Sequence, residues 1–289
     1  MQGTVDGFSY GLVTPVAAYL MACLGGALGL RCTTRSLLVA HSWRPGWLAL
    51  GSAAIGSGIW TMHFIAMMGF TVDEAPIHYD KALTFASLGV AILMVGIGIF
   101  IVGYRGATGT ALFTGGTITG LGVASMHYLG MAGMRLRGTL EYNTLTVSAS
   151  VVIAVVAATA ALWAAGQVRG FLWSLGASLV MGLAVSGMHY VGMAALSVHL
   201  HGSDAAPTAG DSPAELLAPM MIGPLAFLLL AGVIVMFDPL MVMGKTDLRS
   251  AAQGQHAPYP PVPRSGDRHD PRAGRRPPQR PGPKTPQSW

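Results

Sequence analysis

Charge is what this sequence has least of. Only 10% of its 289 residues are Asp, Glu, Lys or Arg, against 52% hydrophobic, where a soluble domain carries about a quarter charged. Seven long stretches contain no charged residue at all: 9–30, 47–70, 82–104, 109–134, 146–166, 171–196 and 217–237. The three lysines, Lys81, Lys245 and Lys284, lie outside them, so the bundle lacks the internal Schiff-base lysine that a seven-helix retinal protein needs. No acid lies inside a stretch to carry protons for a transporter; Asp238 falls just past the last one. Neither a nucleophile–base pair nor paired carboxylates can be found, so no enzymatic activity is expected. The two cysteines, Cys23 and Cys32, have no metal-like spacing and read as small packing residues.

What remains is a membrane protein, with a mean hydropathy of +0.53. Each stretch is long enough, at 1.5 Å per residue, to cross about 30 Å of hydrocarbon. All are roughly twice the length of a barrel strand. The expected fold is all-α, a polytopic membrane bundle of seven transmembrane helices, built from three repeated helix hairpins plus a seventh helix. The expected divisions are a short extracytoplasmic N-terminus at 1–8, a six-helix membrane domain at 9–196, an outer loop at 197–216, the seventh helix at 217–237 and a tail at 245–289. The first stretch has no basic flank ahead of it and reads as a retained span rather than a cleaved signal peptide.

Loop charges set the direction. With the N-terminus outside, the inner segments and the tail hold fourteen Lys/Arg, including Arg31, Arg35, Arg44, Arg105 and Arg169. The outer segments hold three, Lys81, Arg135 and Arg137. The expected location is therefore the plasma membrane, multi-pass, with a cytoplasmic C-terminus. The net charge of +5 belongs to the tail, where nine Lys/Arg face three Asp/Glu and ten of the eighteen prolines gather. That segment reads as disordered, and the body offers nothing for nucleic acid.

One string recurs three times: "TMHFIAMMG" at 61–69, "SMHYLGMAG" at 125–133 and "SGMHYVGMA" at 186–194. His63, His127 and His189 are 64 and 62 residues apart, the length of two helices and their loops, which points to duplication. Met62, Met126 and Met188 precede the histidines, Met67, Met131 and Met193 follow four later, and Gly56, Gly120 and Gly182 lie seven earlier. On a helix, i and i+4 share a face, and small residues let helices approach closely in lipid. The three imidazoles should therefore sit at matched depth, about 10 Å from the outer end of the even-numbered spans. Ionisable groups inside a membrane are functional candidates, and imidazole with thioether favours copper. The expected ligands are His63, His127, His189, Met62, Met67, Met126, Met131, Met188 and Met193; Gly56, Gly120 and Gly182 serve helix packing. Structural packing, proton sensing and haem ligation are the other readings of these histidines. His199 and His201 could begin a copper path, but read as solvated loop residues; His41, His78, His256 and His269 carry no pattern.

The triple motif over 9–196 resembles the MHYT domain, a bacterial integral-membrane sensor module. That resemblance implies copper held by Met62, His63, Met126, His127, Tyr128, Met188, His189 and Tyr190, and sensing of a diatomic gas (oxygen, carbon monoxide or nitric oxide). The pattern departs at Phe64, where tyrosine is usual. The family's Tyr-Asp pair appears as Tyr79-Asp80, as Tyr142-Asn143, and, in the first unit, as Tyr10-Gly11. Such sensors are often fused to cytoplasmic output domains; here only the tail follows, so a stand-alone form signalling to a separate cytoplasmic partner is expected. A copper transport, storage or chaperone protein is the alternative, and a haem protein the second.

Overall fold

The structure is a computed structural model that describes residues 5–7, 9–72, 77–136, 138–167, 171–200 and 213–238. The tail, His201, His256 and His269 lie outside the described residues. Seven helices are present among them: α1 (Val13–Ser36), α2 (Arg44–Met68), α3 (Lys81–Arg105), α4 (Gly109–Ala132), α5 (Thr144–Ala165), α6 (Phe171–Ala194) and α7 (Pro213–Met236). In hydrocarbon every backbone polar group must be satisfied within its own segment, which makes helices the economical answer to these sequences. Starts are marked by side chains that accept otherwise unpaired amides. Asp80 takes Leu83 N–H, Thr108 takes Ala111 N–H, and Asn143 takes those of Leu145 and Thr146.

Six of the helices are long and apolar enough to cross a membrane, and α4 is the exception. Its length matches the others, but glycines, threonines and His127 dilute its apolar character. Neighbours pack in sequence from α1 to α6, and α6 closes a ring by packing on α1; α7 lies outside that ring against α2 and α1. Glycine lets some of these contacts reach backbone. A Cβ on Gly25 of α1 would stand 2.7 Å from Cα of Gly58 on α2.

Short antiparallel ribbons close one end of the ring. β1 (Val5–Asp6) pairs with β2 (Thr71–Val72), β3 (His78–Tyr79) with β4 (Met134–Arg135), and β5 (Gly138–Tyr142) with β6 (Leu196–Leu200). Each ribbon joins the segment entering an odd helix to the segment leaving the next even one. A backbone bond repeats at the same place: Ser9 N–H to Gly69 O, Asp80 N–H to Gly133 O and Asn143 N–H to Ala195 O. Ser9, rather than Gly11, therefore holds the position of Asp80 and Asn143, which corrects the register read from Tyr10-Gly11.

The boundaries shift in two further places. The first helix, expected at 9–30, runs from Val13 to Ser36, because Gly11 turns the chain with φ +59° and the helix continues through Arg31 and Arg35. At its far end Arg35 pairs with Asp238, just past α7, and lies 5.5 Å over the Trp47 ring. The loop expected from 197 instead begins as β6, whose partner "GTLEY" alternates partly buried and exposed residues, as a ribbon should.

Candidate metal centre

The ribbons and the ring together decide where the three repeated helices point. Each carries a glycine that brings it onto the next odd helix. A Cβ at Gly56 would meet Ile92 Cα of α3 at 2.8 Å, one at Gly120 would meet Val155 Cα of α5 at 2.4 Å, and one at Gly182 would meet Cys23 Sγ of α1 at 2.5 Å. Two turns nearer the ribbons, His63, His127 and His189 leave α2, α4 and α6 for the ring axis, and all three are buried.

Their Nδ1 atoms form a triangle with edges of 3.0 Å (His63–His189), 3.2 Å (His63–His127) and 3.3 Å (His127–His189). The rings stand nearly perpendicular, with interplanar angles of 81°, 77° and 88°. Neutral imidazole carries one proton on one of its two nitrogens. Two Nδ1–H groups aimed into a triangle this small would drive their protons together, so at least two rings aim bare lone pairs at its centre. A single proton can bridge two of them and leaves the third opposed. A cation satisfies all three. The centre of the triangle lies roughly 1.8 Å from each corner, within reach of the metal–imidazole bond of about 2.0 Å. The donor set therefore fits a small transition-metal ion.

The other predicted residues lie on the same three helices, next to the histidines or one turn away. Met62, Met126 and Met188 are buried one residue before each histidine, Met67 and Met131 are buried one turn towards the ribbons, and Met193 is partly buried. Tyr128 stacks edge-on to His127 at 4.8 Å and bonds Ser150 Oγ at 2.7 Å; Tyr190 stacks on His189 at 5.0 Å. Phe64 stands beside His63 at 4.6 Å. His78 is in β3, His41 lies against Tyr104, and His199, in β6, approaches Glu141 at 3.4 Å; none joins the triangle.

Reading the motif alone missed the support of these rings. Ser87 and Ser150 each lie seven residues after the capping Asp80 and Asn143. Ser150 Oγ donates to Val147 O, so Tyr128 is its donor. Ser87 Oγ donates to Thr84 O and accepts from the Trp60 indole at 3.0 Å. Where Phe64 lacks a hydroxyl, Trp60, one turn earlier, supplies the donor instead. The shared spacing of the two serines was the available signal. Beyond the membrane-crossing segments, burial pushes the Tyr79 phenol above its ordinary range, and burial with the neighbouring Tyr128 does the same to Tyr142.

On the side of the triangle away from the ribbons, the ring encloses a cavity of about 40 Å³. Ile59, Val123 and Val185, each one turn before a histidine, line it together with Met188, Met181 and Thr119. Its walls are apolar apart from the Thr119 hydroxyl, which is buried without a partner.

Two stretches of the chain, 56–115 and 120–178, match the MHYT repeat, described as a bacterial signalling protein N-terminal repeat. They begin at Gly56 and Gly120, and His189 lies beyond both. Among curated proteins the chain is 34% identical over 235 residues to the bifunctional diguanylate cyclase/cyclic di-GMP phosphodiesterase MucR of Pseudomonas aeruginosa, covering 80% of this chain and 34% of that one. It is 35% identical over 209 residues to the cyclic di-GMP phosphodiesterase NbdA of the same organism, covering 68% and 26%. The signaling protein YkoW of Bacillus subtilis is 30% identical over 187 residues, covering 62% and 23%. The chain thus spans about a third or less of these relatives, and no solved structure matches it. With the repeated histidine helices, the multi-pass body and these matches in hand, the chain belongs to the MHYT family of membrane signalling proteins.

Proposed function

We propose that this protein is a non-enzymatic membrane sensor whose signal begins at a copper ion held by Nδ1 of His63, His127 and His189. The observation that carries the reading is the convergence of three buried imidazoles, from three repeats, with their Nδ1 atoms within 3.3 Å of one another. All three ligands are neutral, and no carboxylate or cysteine joins them among the described residues. Burying a monovalent ion beside neutral donors costs less than burying a divalent one, and thioethers from Met62, Met67, Met126, Met131, Met188 and Met193 suit the soft, reduced metal. Copper would supply one-electron chemistry and an open position for a small ligand such as a diatomic gas. The chain's own part is to hold the imidazoles, exclude water and leave the apolar cavity beside them, a space that favours small neutral molecules over ions.

In this reading all seven helices cross the membrane, α4 included, since it stands in the ring between α3 and α5. The ribbon end faces outward, because Arg31, Arg35, Arg44 and Arg105 gather at the other. A separate cytoplasmic partner, reached through 245–289, receives the signal. Haem suits the geometry poorly, since the nitrogens leave no gap for a macrocycle. Transport is also less suited, because the Ile59, Val123 and Val185 layer meets the centre with hydrocarbon.

The test is elemental analysis of detergent-purified protein beside His63→Ala, His127→Ala and His189→Ala. Near-stoichiometric copper, lost in each single variant, is expected. Wild-type protein that stays metal-free after loading with reduced copper would sink the reading.

A further inference from the structure

Two glycines outside the ligand set press on the far edges of the imidazoles. A Cβ built on Gly130 of α4 would stand 2.7 Å from Nε2 of His63 and 3.2 Å from its Cδ2. One on Gly192 of α6 would stand 2.5 Å from Nε2 of His127 and 3.1 Å from its Cδ2. Both glycines lie three residues after a histidine, so each repeat offers this position to the ring of the repeat before it. Both Nε2 atoms are buried without a hydrogen-bond partner. No bond therefore fixes the outer edge of either ring, and its place is set by packing.

We infer that Gly130 and Gly192 are positioning residues which, by bringing the α4 and α6 backbones against the Nε2 edges, let the His63 and His127 rings sit where their Nδ1 atoms meet at the centre. This rests on the metal reading for its consequence but not for its geometry. A methyl group at either place falls far inside van der Waals contact. Turning the ring over about Cβ–Cγ only exchanges Nδ1 with Cδ2 and leaves its outline, and so the clash, in place, so the imidazole must shift. That movement spoils a triangle whose edges are near 3 Å. The corresponding residue of the first repeat is Ala66, so the constraint is applied by two of the three copies.

Gly130→Ala, Gly192→Ala and Gly187→Ala are compared in full-length protein. Gly187 lies on α6 with nothing within 4 Å of the place a Cβ would take, and all three changes favour helix, which separates ring displacement from loss of helix. Two readings are taken: reduced-copper affinity by competition, and side-chain ¹⁵N shifts of the histidines in metal-free protein. Groups that orient metal ligands without touching the metal are commonly worth about 10–100-fold in affinity. A loss of about that size is expected for Gly130→Ala and Gly192→Ala, with Gly187→Ala unchanged. In metal-free protein Gly130→Ala should move the His63 signals and Gly192→Ala those of His127. Wild-type affinity and unmoved ring signals in both variants would overturn the inference, as would an equal loss in Gly187→Ala. If wild-type protein binds no copper but the selective shifts appear, the metal reading fails and the positioning role stands. Should one variant not accumulate, the other is read by the same two measurements.

Discussion

The first and second repeats build the same corner of the molecule by different means. In the second, Tyr128 follows the histidine and its hydroxyl reaches Ser150 on the next helix. In the first, Phe64 follows the histidine, and Trp60 reaches Ser87 from one turn earlier. The ring beyond is shared as well: Phe64 meets Tyr79 at 6.4 Å and Tyr128 meets Tyr142 at 5.9 Å, both edge-on. The difference teaches that this position demands a donor for the serine rather than a phenol beside the histidine, since a phenylalanine fills that place next to His63.

The comparison is broken most severely at Trp60. It is fully buried, its indole also bonds Thr84 O at 3.1 Å, and it packs on Phe64 at 4.6 Å. Trp60→Ala should cost about 3–5 kcal/mol, measured as unfolding in detergent, whereas Tyr128→Phe should cost about 0.5–1.5 kcal/mol. The second change removes one hydrogen bond and leaves Ser150 still donating to Val147 O. Equal costs would show that the two donors are not counterparts.

A sharper test restores the phenol. Phe64→Tyr adds a hydroxyl to a corner whose serine is already engaged, so it should destabilise by about 1–3 kcal/mol, the cost of burying an unpaired polar group. Combined with Trp60→Phe, which frees Ser87, the same change should cost less than the sum of the two single changes, because the residues share a partner. Strict additivity in that double-mutant cycle would dissolve the proposed exchange of donors.

How much of this could be read beforehand differs by feature. The apolar lengths and the spacing of His63, His127 and His189 announced the helices and the three-part centre, since both follow from periodicity along one chain. The exchange of Tyr for Trp was hidden, because Trp60 and Ser87 are on different helices and pair only after packing. How closely the rings of His63 and His127 are approached at their outer edges was hidden too, because Gly130 and Gly192 belong to neighbouring helices. The place of α7 outside the ring had no signal, because an apolar helix in lipid looks the same whichever face it buries. The two-residue strands β1 to β4 are too short for alternation to show, and their register corrected Gly11 to Ser9.

The smallest effect separates the two repeats by pH. Asp80 and Asn143 cap α3 and α5 from equivalent places, but only Asp80 can titrate. The Leu83 N–H bonded to its carboxylate, helped by Ala82 N–H and by Arg135 at 3.6 Å, holds Asp80 below the usual carboxylate range. A group whose pKa is lower folded than unfolded contributes its stability at pH values above the unfolded value, about 3.9 for aspartate. That contribution fades as pH falls through the lowered folded value, while the Asn143 amide keeps its bonds to Leu145 and Thr146. Asn143→Ala at neutral pH should cost about 1 kcal/mol, which calibrates the loss of a cap in this setting. Amide exchange should then quicken at Leu83 relative to Leu145 and Thr146 as samples are taken from pH 6 towards pH 2, after correction for the intrinsic rate. The gap should close in Asp80→Asn, whose cap no longer titrates. Exchange that stays parallel in both repeats of the wild-type protein would mean that the carboxylate does no more for α3 than the amide does for α5.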